Sequence, residues 1–486
     1  MTKTEQRLPR SRPEELGIRP QAITALLNDW QRRQIEIHSV MIMRNGHVAA
    51  EGWWAPYARQ LPHTMFSLSK SFTSTAIGMA AMEGLLSIDD TVISYFPEET
   101  PLDPSPNLQA MRIRDLLMMG TGHETDTIVN LITSEDGNWV RAFLNAPVER
   151  EPGTHFVYNS GATYMLSAIL QKVSGQKLLD YLQPRLFEPL GILGATWGAC
   201  PRGIHIGGWG LALTTEGVAK FGQLYLQKGL WEGKRLISEA WIEEATSKQI
   251  ENGDGGDNEW AQGYGYQFWQ CRHGAYRGDG AFGQFCIVMP EQDMVIAITS
   301  STNDMQGVLD AIWTHILPAT LDRALPLGAN GEQAAQLSTQ LASLALHPPV
   351  FGNGSAQEEL VSGHKYRLNE NPQQWESLTF RFERGEVVMT LEGAAAGEYI
   401  VHSGRGTWME GSGKLLQPEP SAFGKQRTVS SFTWQEQDTL LLTLRFIETP
   451  FIVTFEVQFG DQKLELRYRQ NVSFVSTDTN IVRGIR

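Results

Sequence analysis

Ser67 and Lys70 stand three residues apart in the stretch His63-Thr64-Met65-Phe66-Ser67-Leu68-Ser69-Lys70-Ser71-Phe72. If that stretch opens a helix, both side chains leave from one face and a proton can pass between them. The chemistry this permits is acyl transfer. A serine hydroxyl is a poor nucleophile until a base takes its proton, and a lysine is that base only where its environment lowers its pKa. Bringing a lysine from near 10.4 to near neutrality disfavours its charged form by roughly 4 kcal/mol, within the range of buried lysines. The partial positive charge and free N–H groups of a helix N-terminus suit an oxyanion formed at Ser67.

Spacing alone does not select this pair, because Ser174 and Lys177, and Ser362 and Lys365, repeat it. Context does. Ser174-Gly175-Gln176-Lys177 contains a helix breaker, and Ser362-Gly363-His364-Lys365 is a polar, glycine-bearing approach to a strand, so both read as loops. Only Ser67 precedes an apolar run, through Ala76, Ile77, Met79 and Ala80 to a stop at Gly84, that could desolvate a lysine.

The elements that must hold this helix are legible around it. A helix is expected near Ala22–Trp30. Ser39–Met43 and Val48–Trp54 then flank Asn45-Gly46, the strongest short hairpin signal. Helical spacing dominates from Ile113 to Met119 and from Ser160 to Val173, where Ser160 could be the cap. Further helices are expected after Thr214, around Trp241–Ala245 and over Val308–Leu317, with strands at Gly265–Trp269, Phe285–Met289 and Met294–Ile298. Beyond Leu325-Pro326-Leu327-Gly328 the period becomes two, as in Leu378–Glu383, Leu440–Phe446 and Ile452–Phe459. The reading is therefore a catalytic domain over residues 1–328, and an antiparallel β domain, barrel or sandwich, over residues 329–486.

Composition narrows the function. With 486 residues, 41% of them hydrophobic, the chain can bury large cores. A net charge of −14 without any Lys/Arg run disfavours nucleic acid and anionic membranes as partners. No apolar run approaches a membrane span and the N-terminal stretch lacks a signal-peptide core, so the expected location is the cytoplasm. Cys200, Cys271 and Cys286 are odd in number and lack metal-ligand spacing, so no metal or other cofactor is expected. The expected partner is a small-molecule ester or amide; the oligomeric state is left open.

Three motifs in order now carry a resemblance: Ser67-Leu68-Ser69-Lys70, then Tyr158-Asn159-Ser160 after Pro152-Gly153-Thr154, then Gly278-Asp279-Gly280-Ala281-Phe282-Gly283-Gln284. Together with Glu188-Pro189-Leu190-Gly191 and Gly208-Trp209-Gly210-Leu211, they resemble the penicillin-recognising serine hydrolases over roughly residues 15 to 325. That family includes class C β-lactamases, D-alanyl-D-alanine carboxypeptidases, D-aminopeptidases, family VIII esterases and nylon-oligomer hydrolases. The resemblance implies an α+β fold, with an antiparallel sheet built from both ends of the catalytic domain, flanking helices and a helical second region. It implies Ser67 as nucleophile, Lys70 as base and Tyr158 as proton carrier to the leaving group. It also implies an oxyanion hole at the N–H groups of Ser67 and Ala281, with Ser160, Gly280 and Trp209 lining the substrate site. The C-terminal domain is similar in position to the extra β domains of D-aminopeptidase-like members.

Two departures bear on the substrate. The middle motif ends in Ser160, where relatives have asparagine, and the third reads Gly278-Asp279-Gly280 where relatives carry a lysine or histidine. A cation for a substrate carboxylate is missing there unless Arg277 or Arg272 supplies it. The expectation is an esterase or amidase working through an acyl-enzyme. The alternatives are a β-lactamase or D-amino-acid peptidase of the same family and, in another class, an inert binding scaffold. A Ser-His-Asp site using His123 or His155 with Asp126 is disfavoured because no Gly-x-Ser-x-Gly elbow occurs. Intact-mass and peptide mapping after a slow-turnover ester should place an acyl adduct on Ser67 and none on Ser67→Ala. An adduct on Ser174 or Ser362 would refute the assignment, and Lys70→Ala should lose nearly all activity.

Overall fold

The computed structural model describes residues 7–320, 331–352, 354–394, 397–416 and 424–486. They divide into two compact units. The first comprises residues up to Gly52, Pro62–Ser300 and Asp304–Ser343; the second comprises Trp53–Leu61, Ser301–Asn303 and Leu344–Arg486. Residue 328, where the sequence suggests a boundary, lies outside the described residues. The helix Gly331–Ala342 that follows packs against Pro20–Arg32, so the division falls at Ser343–Leu344.

The first unit is a beta-lactamase-like arrangement of one sheet and flanking helices. Across the sheet the strands run His47–Trp53, Glu36–Arg44, Met294–Ser301, Gln284–Met289, Tyr276–Gly280 and Trp269–Gln270, so both ends of the unit's sequence meet in it. The hairpin expected at Asn45-Gly46 forms, with φ of 51° and 76° at its two corner residues, the positive values such a tight turn demands. Two readings change. Of Gly265–Trp269 only the last residue enters a strand, Trp269–Gln270, because Gln267 turns the chain at φ 67° and its backbone N–H goes to Leu117 O. Tyr276–Gly280, glycine-bearing and left out as a strand by its sequence, pairs in full with Gln284–Met289.

The helix Ser69–Met82 runs through the middle of this unit, with every residue from Ser69 to Ala80 buried. Such burial leaves its hydroxyls in need of partners, and among the described residues all but that of Ser74 have them. Ser71 Oγ donates to Gln267 O at 2.8 Å, Thr73 Oγ1 to Gly207 O at 2.9 Å, and Ser69 Oγ accepts from Leu211 N at 3.2 Å. Phe72 stacks on Phe221 with 3.8 Å between centroids. Gly78 lets the indole of Trp241 lie flush on the helix, since a Cβ there would stand 2.4 Å from the ring. The helical region beside it is led by Ser160–Ser174, which packs on both Ser69–Met82 and Ile113–Leu117.

The second unit is a closed barrel of nine strands, which decides between the barrel and sandwich readings. Lys365–Leu368, Ser377–Glu383, Glu386–Gly393 and Gly397–Arg405 form one meander, and Gln426–Trp434, Thr439–Phe446, Ile452–Phe459, Lys463–Gln470 and Asn480–Ile485 form another. Asn480–Ile485 pairs with Lys365–Leu368, and Gly397–Arg405 closes the ring by a short parallel pairing, Gly404 with Ser431 and Arg405 with Phe432. A tenth strand, Met409–Gly413, pairs with Gln426–Trp434 beside that closure and ends the sheet. The period of two survives as an apolar interior, for example Leu440, Leu442, Leu444 and Phe446 along one strand.

Gly78→Ala should destabilise the first unit by about 1–3 kcal/mol, because the added methyl meets a rigid indole. Urea unfolding should show a lowered midpoint; an unchanged midpoint would show that helix and Trp241 are not packed this closely.

Candidate active site

The site is built on the approach to the buried helix. Ser67 sits in a 3-10 turn, Phe66–Leu68, immediately before Ser69–Met82, rather than within the helix itself. Phe66 holds φ 45°, a region costly for a bulky side chain, so the turn that presents Ser67 is strained. Ser67 is half-buried while Lys70 is 1% exposed.

Lys70 Nζ reaches three oxygens: Ser67 Oγ at 3.1 Å, Ser160 Oγ at 3.3 Å and Gly208 O at 2.9 Å. The carbonyl can only accept, so one N–H is committed to it. The two hydroxyls can donate or accept, so the amine can lie between them as a charged donor or as a free base accepting the Ser67 proton. Burial lowers the Lys70 pKa to about 8, while the carboxylates of Asp126 and Asp279 act in the other direction.

Tyr158 comes to the same point from the turn before Ser160–Ser174. Its pKa is pushed up chiefly by burial and next by Asp279, with Ser67 acting in the other direction, which keeps it a neutral phenol. Its ring stacks on Trp269 with centroids 5.2 Å apart, and Lys70 Nζ stands 4.8 Å from its centre. Asn159, not Ser160, caps the helix: its Oδ1 accepts from Gly161 N at 3.0 Å and Ala162 N at 3.3 Å, and also from Thr127 Oγ1. That cap frees Ser160 Oγ to face Lys70, while Ser160 N donates to Asp126 Oδ1 at 2.9 Å.

The third motif lies against the nucleophile turn. A Cβ on Gly280 would stand 2.1 Å from Met65 O, and one on Gly278 2.4 Å from Leu68 Cδ1, so only glycine permits this approach. Ala281 opens the turn that follows, where Phe282 takes φ 64° and its ring meets Phe66 edge-on at 5.5 Å. Trp209 is buried, its carbonyl accepting from Trp197 Nε1 at 3.0 Å and its ring 6.0 Å from that of Trp139.

Other candidates go elsewhere. His123 Nδ1 is 2.8 Å from Thr121 Oγ1 and burial lowers its pKa to about 4, while His155 is exposed; neither is brought to Ser67 among the hydrogen bonds of the described residues. Arg277 is wholly buried, donating to Asp279 Oδ2 at 2.9 Å and Glu259 O at 3.1 Å. Arg272 is tied to Glu259 at 2.5 Å and also to Asp310. Arg272 is not free to receive a substrate carboxylate, and Arg277 keeps one nitrogen, Nη2, without a hydrogen-bond partner among the described residues but sealed from the surface. Among the described residues no group of three or more His, Cys, Asp or Glu side chains could hold a metal ion.

Three residues take roles that the sequence reading does not give them. Gly208 acts through its carbonyl, which no side-chain pattern announces; Asp126, weighed there only as the partner of a histidine, accepts from Ser160 N, and Trp269, read there as a strand residue, stacks on Tyr158. The Gly207-Gly208 doublet is the available signal: a Cβ on Gly208 would stand 3.0 Å from Ser160 O.

A fold of this kind with a serine and a buried lysine at the head of its central helix defines a class of serine hydrolases. The family description Beta-lactamase matches residues 23–321, and the chain belongs to that family. It is 26% identical over 313 residues to a 6-aminohexanoate-dimer hydrolase of Paenarthrobacter ureafaciens, covering 60% of this chain and 80% of that one. It is 23% identical over 214 residues to a putative D-alanyl-D-alanine carboxypeptidase of Escherichia coli strain K12, covering 38% of this chain and 49% of the relative. A putative 6-aminohexanoate-dimer hydrolase from Bacillus anthracis shares the fold at a TM-score of 0.53, with 23% identity over 64% of this chain and 87% of that one. The structure of SurE with D-Leu shares it at 0.50, with 14% identity over 88% of this chain and 97% of that one. Among the described residues no helix is long and apolar enough to cross a membrane.

If neutral Lys70 takes the proton of Ser67, the reactive fraction grows as pH rises. Acylation by a neutral ester should therefore climb through a midpoint near 8 and level off above it. A rate flat between pH 6 and pH 10 would exclude Lys70 as the base.

Proposed function

We propose that this protein hydrolyses small esters or amides through an acyl-enzyme on Ser67. Lys70 receives the hydroxyl proton as Ser67 attacks the carbonyl, and the N–H groups of Ser67 and Ala281 hold the oxyanion. Tyr158, beside Ser67 and kept neutral, gives a proton to the leaving alkoxide or amine and takes one back from the Lys70 ammonium, so that both groups are restored for the second step. Water then repeats the sequence on the ester to release the acid. Ser160, Gly280 and Trp209 line the substrate's place.

One observation carries this reading: Lys70, sealed from water, lies within 3.1 Å of Ser67 Oγ and within 3.3 Å of Ser160 Oγ. An inert scaffold has no need of a lysine held this way, since removing an amine from water without use costs stability. The relative named as a 6-aminohexanoate-dimer hydrolase supports amides alongside esters. The ion pairs of Arg272 and the full burial of Arg277 support substrates without a carboxylate beside the acyl group, and so rank penicillins and D-alanyl peptides below neutral acyl compounds. Cytoplasmic residence is supported by three cysteines that all remain unpaired thiols.

The test compares kcat/KM for matched esters with and without a free carboxylate next to the acyl group. A charge-assisted hydrogen bond is worth about 1.5–3 kcal/mol, so its absence should leave the carboxylate-bearing ester roughly 10- to 150-fold short of the gain it would otherwise enjoy. The neutral ester should be the better substrate. A clear preference for the carboxylate form would refute the reading and show a cation in the cleft.

A further inference from the structure

The strand leading into the oxyanion turn carries two faces. Gly278 and Gly280 face the nucleophile turn, while Arg277 and Asp279 share the other face, Arg277 Nε donating to Asp279 Oδ2 at 2.9 Å. On its outer side the strand is paired only as far as Trp269 with Arg277. The backbone edge of Gly278, Asp279 and Gly280 therefore has no strand partner there among the described residues, and a substrate can lie along it.

Asp279 is 6% exposed, and its two hydrogen bonds fall on one oxygen: Oδ2 accepts from Arg277 Nε and, at 3.1 Å, from Trp260 Nε1. Oδ1 accepts from no donor among the described residues, which leaves a carboxylate oxygen with unused lone pairs. Arg277 does not cancel the charge by itself, because it is shared with Glu259, whose Oε2 lies 3.7 Å from Nη1. Asp126 adds another carboxylate close enough to act on Lys70, as Asp279 does. Setting Lys70, Arg277 and Arg272 against Asp126, Asp279, Glu259 and Asp310, the surroundings are net negative even with Lys70 protonated, and more so when it is the free base. An anion meets repulsion here; a cation is complementary.

We propose that Asp279 determines specificity by accepting the ammonium group of a cationic ester or amide, so that the preferred substrates carry an amine on a spacer from the scissile carbonyl. This rests on Ser67 as nucleophile and Ala281 as an oxyanion donor. Two residues of extended strand separate Asp279 from Ala281, about 7 Å, which sets the reach of that spacer to several atoms. An ammonium docked there also offsets the field by which Asp279 favours protonated Lys70, so the substrate that binds best also favours the free base.

The experiment uses the full chain and three p-nitrophenyl esters of equal acyl length ending in a dimethylammonium, an isopropyl or a carboxylate group; the tertiary amine cannot close to a lactam. Wild-type kcat/KM should favour the ammonium ester over the isopropyl ester by roughly ten- to a hundredfold, with the carboxylate ester last. The preference should shrink with added salt. In Asp279→Asn the ammonium-to-isopropyl ratio should fall to near one, whatever absolute rate remains. If that substitution unfolds the protein by stranding Arg277, Arg277→Gln combined with Asp279→Asn removes both charges and the same ratio is read. A wild type labelled at Ser67 by a fluorophosphonate that hydrolyses the ammonium and isopropyl esters alike overturns this inference and leaves the acyl-enzyme reading standing. A preference that survives in the Asp279 variant also overturns it. No labelling at Ser67 overturns both.

Discussion

A buried lysine amine, with three oxygens as its hydrogen-bond partners among the described residues, is the constraint around which the first unit is arranged. To leave water, Lys70 needs a hydrogen-bond acceptor for each donor it keeps, and the three it finds come from three separate parts of the chain: Ser67 on the turn before the helix, Ser160 on the helix beside it, and the carbonyl of Gly208 from a loop. Displacing any of them exposes the amine or strands it. The same enclosure that costs solvation lowers the pKa to about 8 and gives the side chain a use as a base.

Small residues make the enclosure possible. Gly278 and Gly280 bring a strand onto the nucleophile turn, Gly207 and Gly208 bring a loop onto Lys70 and Ser160, and Gly78 admits Trp241 to the far end of the same helix. Each removes a Cβ where a backbone or ring must pass. The polar groups exposed by such close packing are then paired along the helix, as with Ser71, Thr73 and Ser69. Aromatic rings hold the remaining participant: Tyr158 is fixed by Trp269, itself edge-on to Tyr264 at 4.9 Å.

Electrostatics divide the site's arginines from its lysine. Arg277 and Arg272 form a chain of alternating charge through Asp279, Glu259 and Asp310, in which each guanidinium meets more than one carboxylate. Such a chain positions the strand before the oxyanion turn, and it leaves carboxylate charge unmatched toward the reacting groups. The barrel solves a different problem: its strands, each too short to be stable alone, share one apolar interior and are closed by the pairing of Gly404 and Arg405 with Ser431 and Phe432.

Local pattern determined much of this protein. The hairpin at Asn45-Gly46, the helix beginning near Ser69, the helix from Ser160 and the alternating strands of the barrel follow from turn chemistry and periodicity, which act over a few neighbours. The choice of Ser67 and Lys70 over their two spacing look-alikes was likewise available, because desolvation shows as an apolar run. Tertiary structure decided what depends on distant partners. Asn159 became the cap and Ser160 the partner of Lys70 because the cap oxygen also takes Thr127, a contact no local rule contains. Tyr276–Gly280 became a strand because Gln284–Met289 pairs with it, although its glycines argue locally for a loop. Arg277, available on paper as a carboxylate receptor, was withdrawn by Asp279 and Glu259. Spacing fixes which groups can meet along one element, whereas which charges neutralise one another is settled only when separate elements pack.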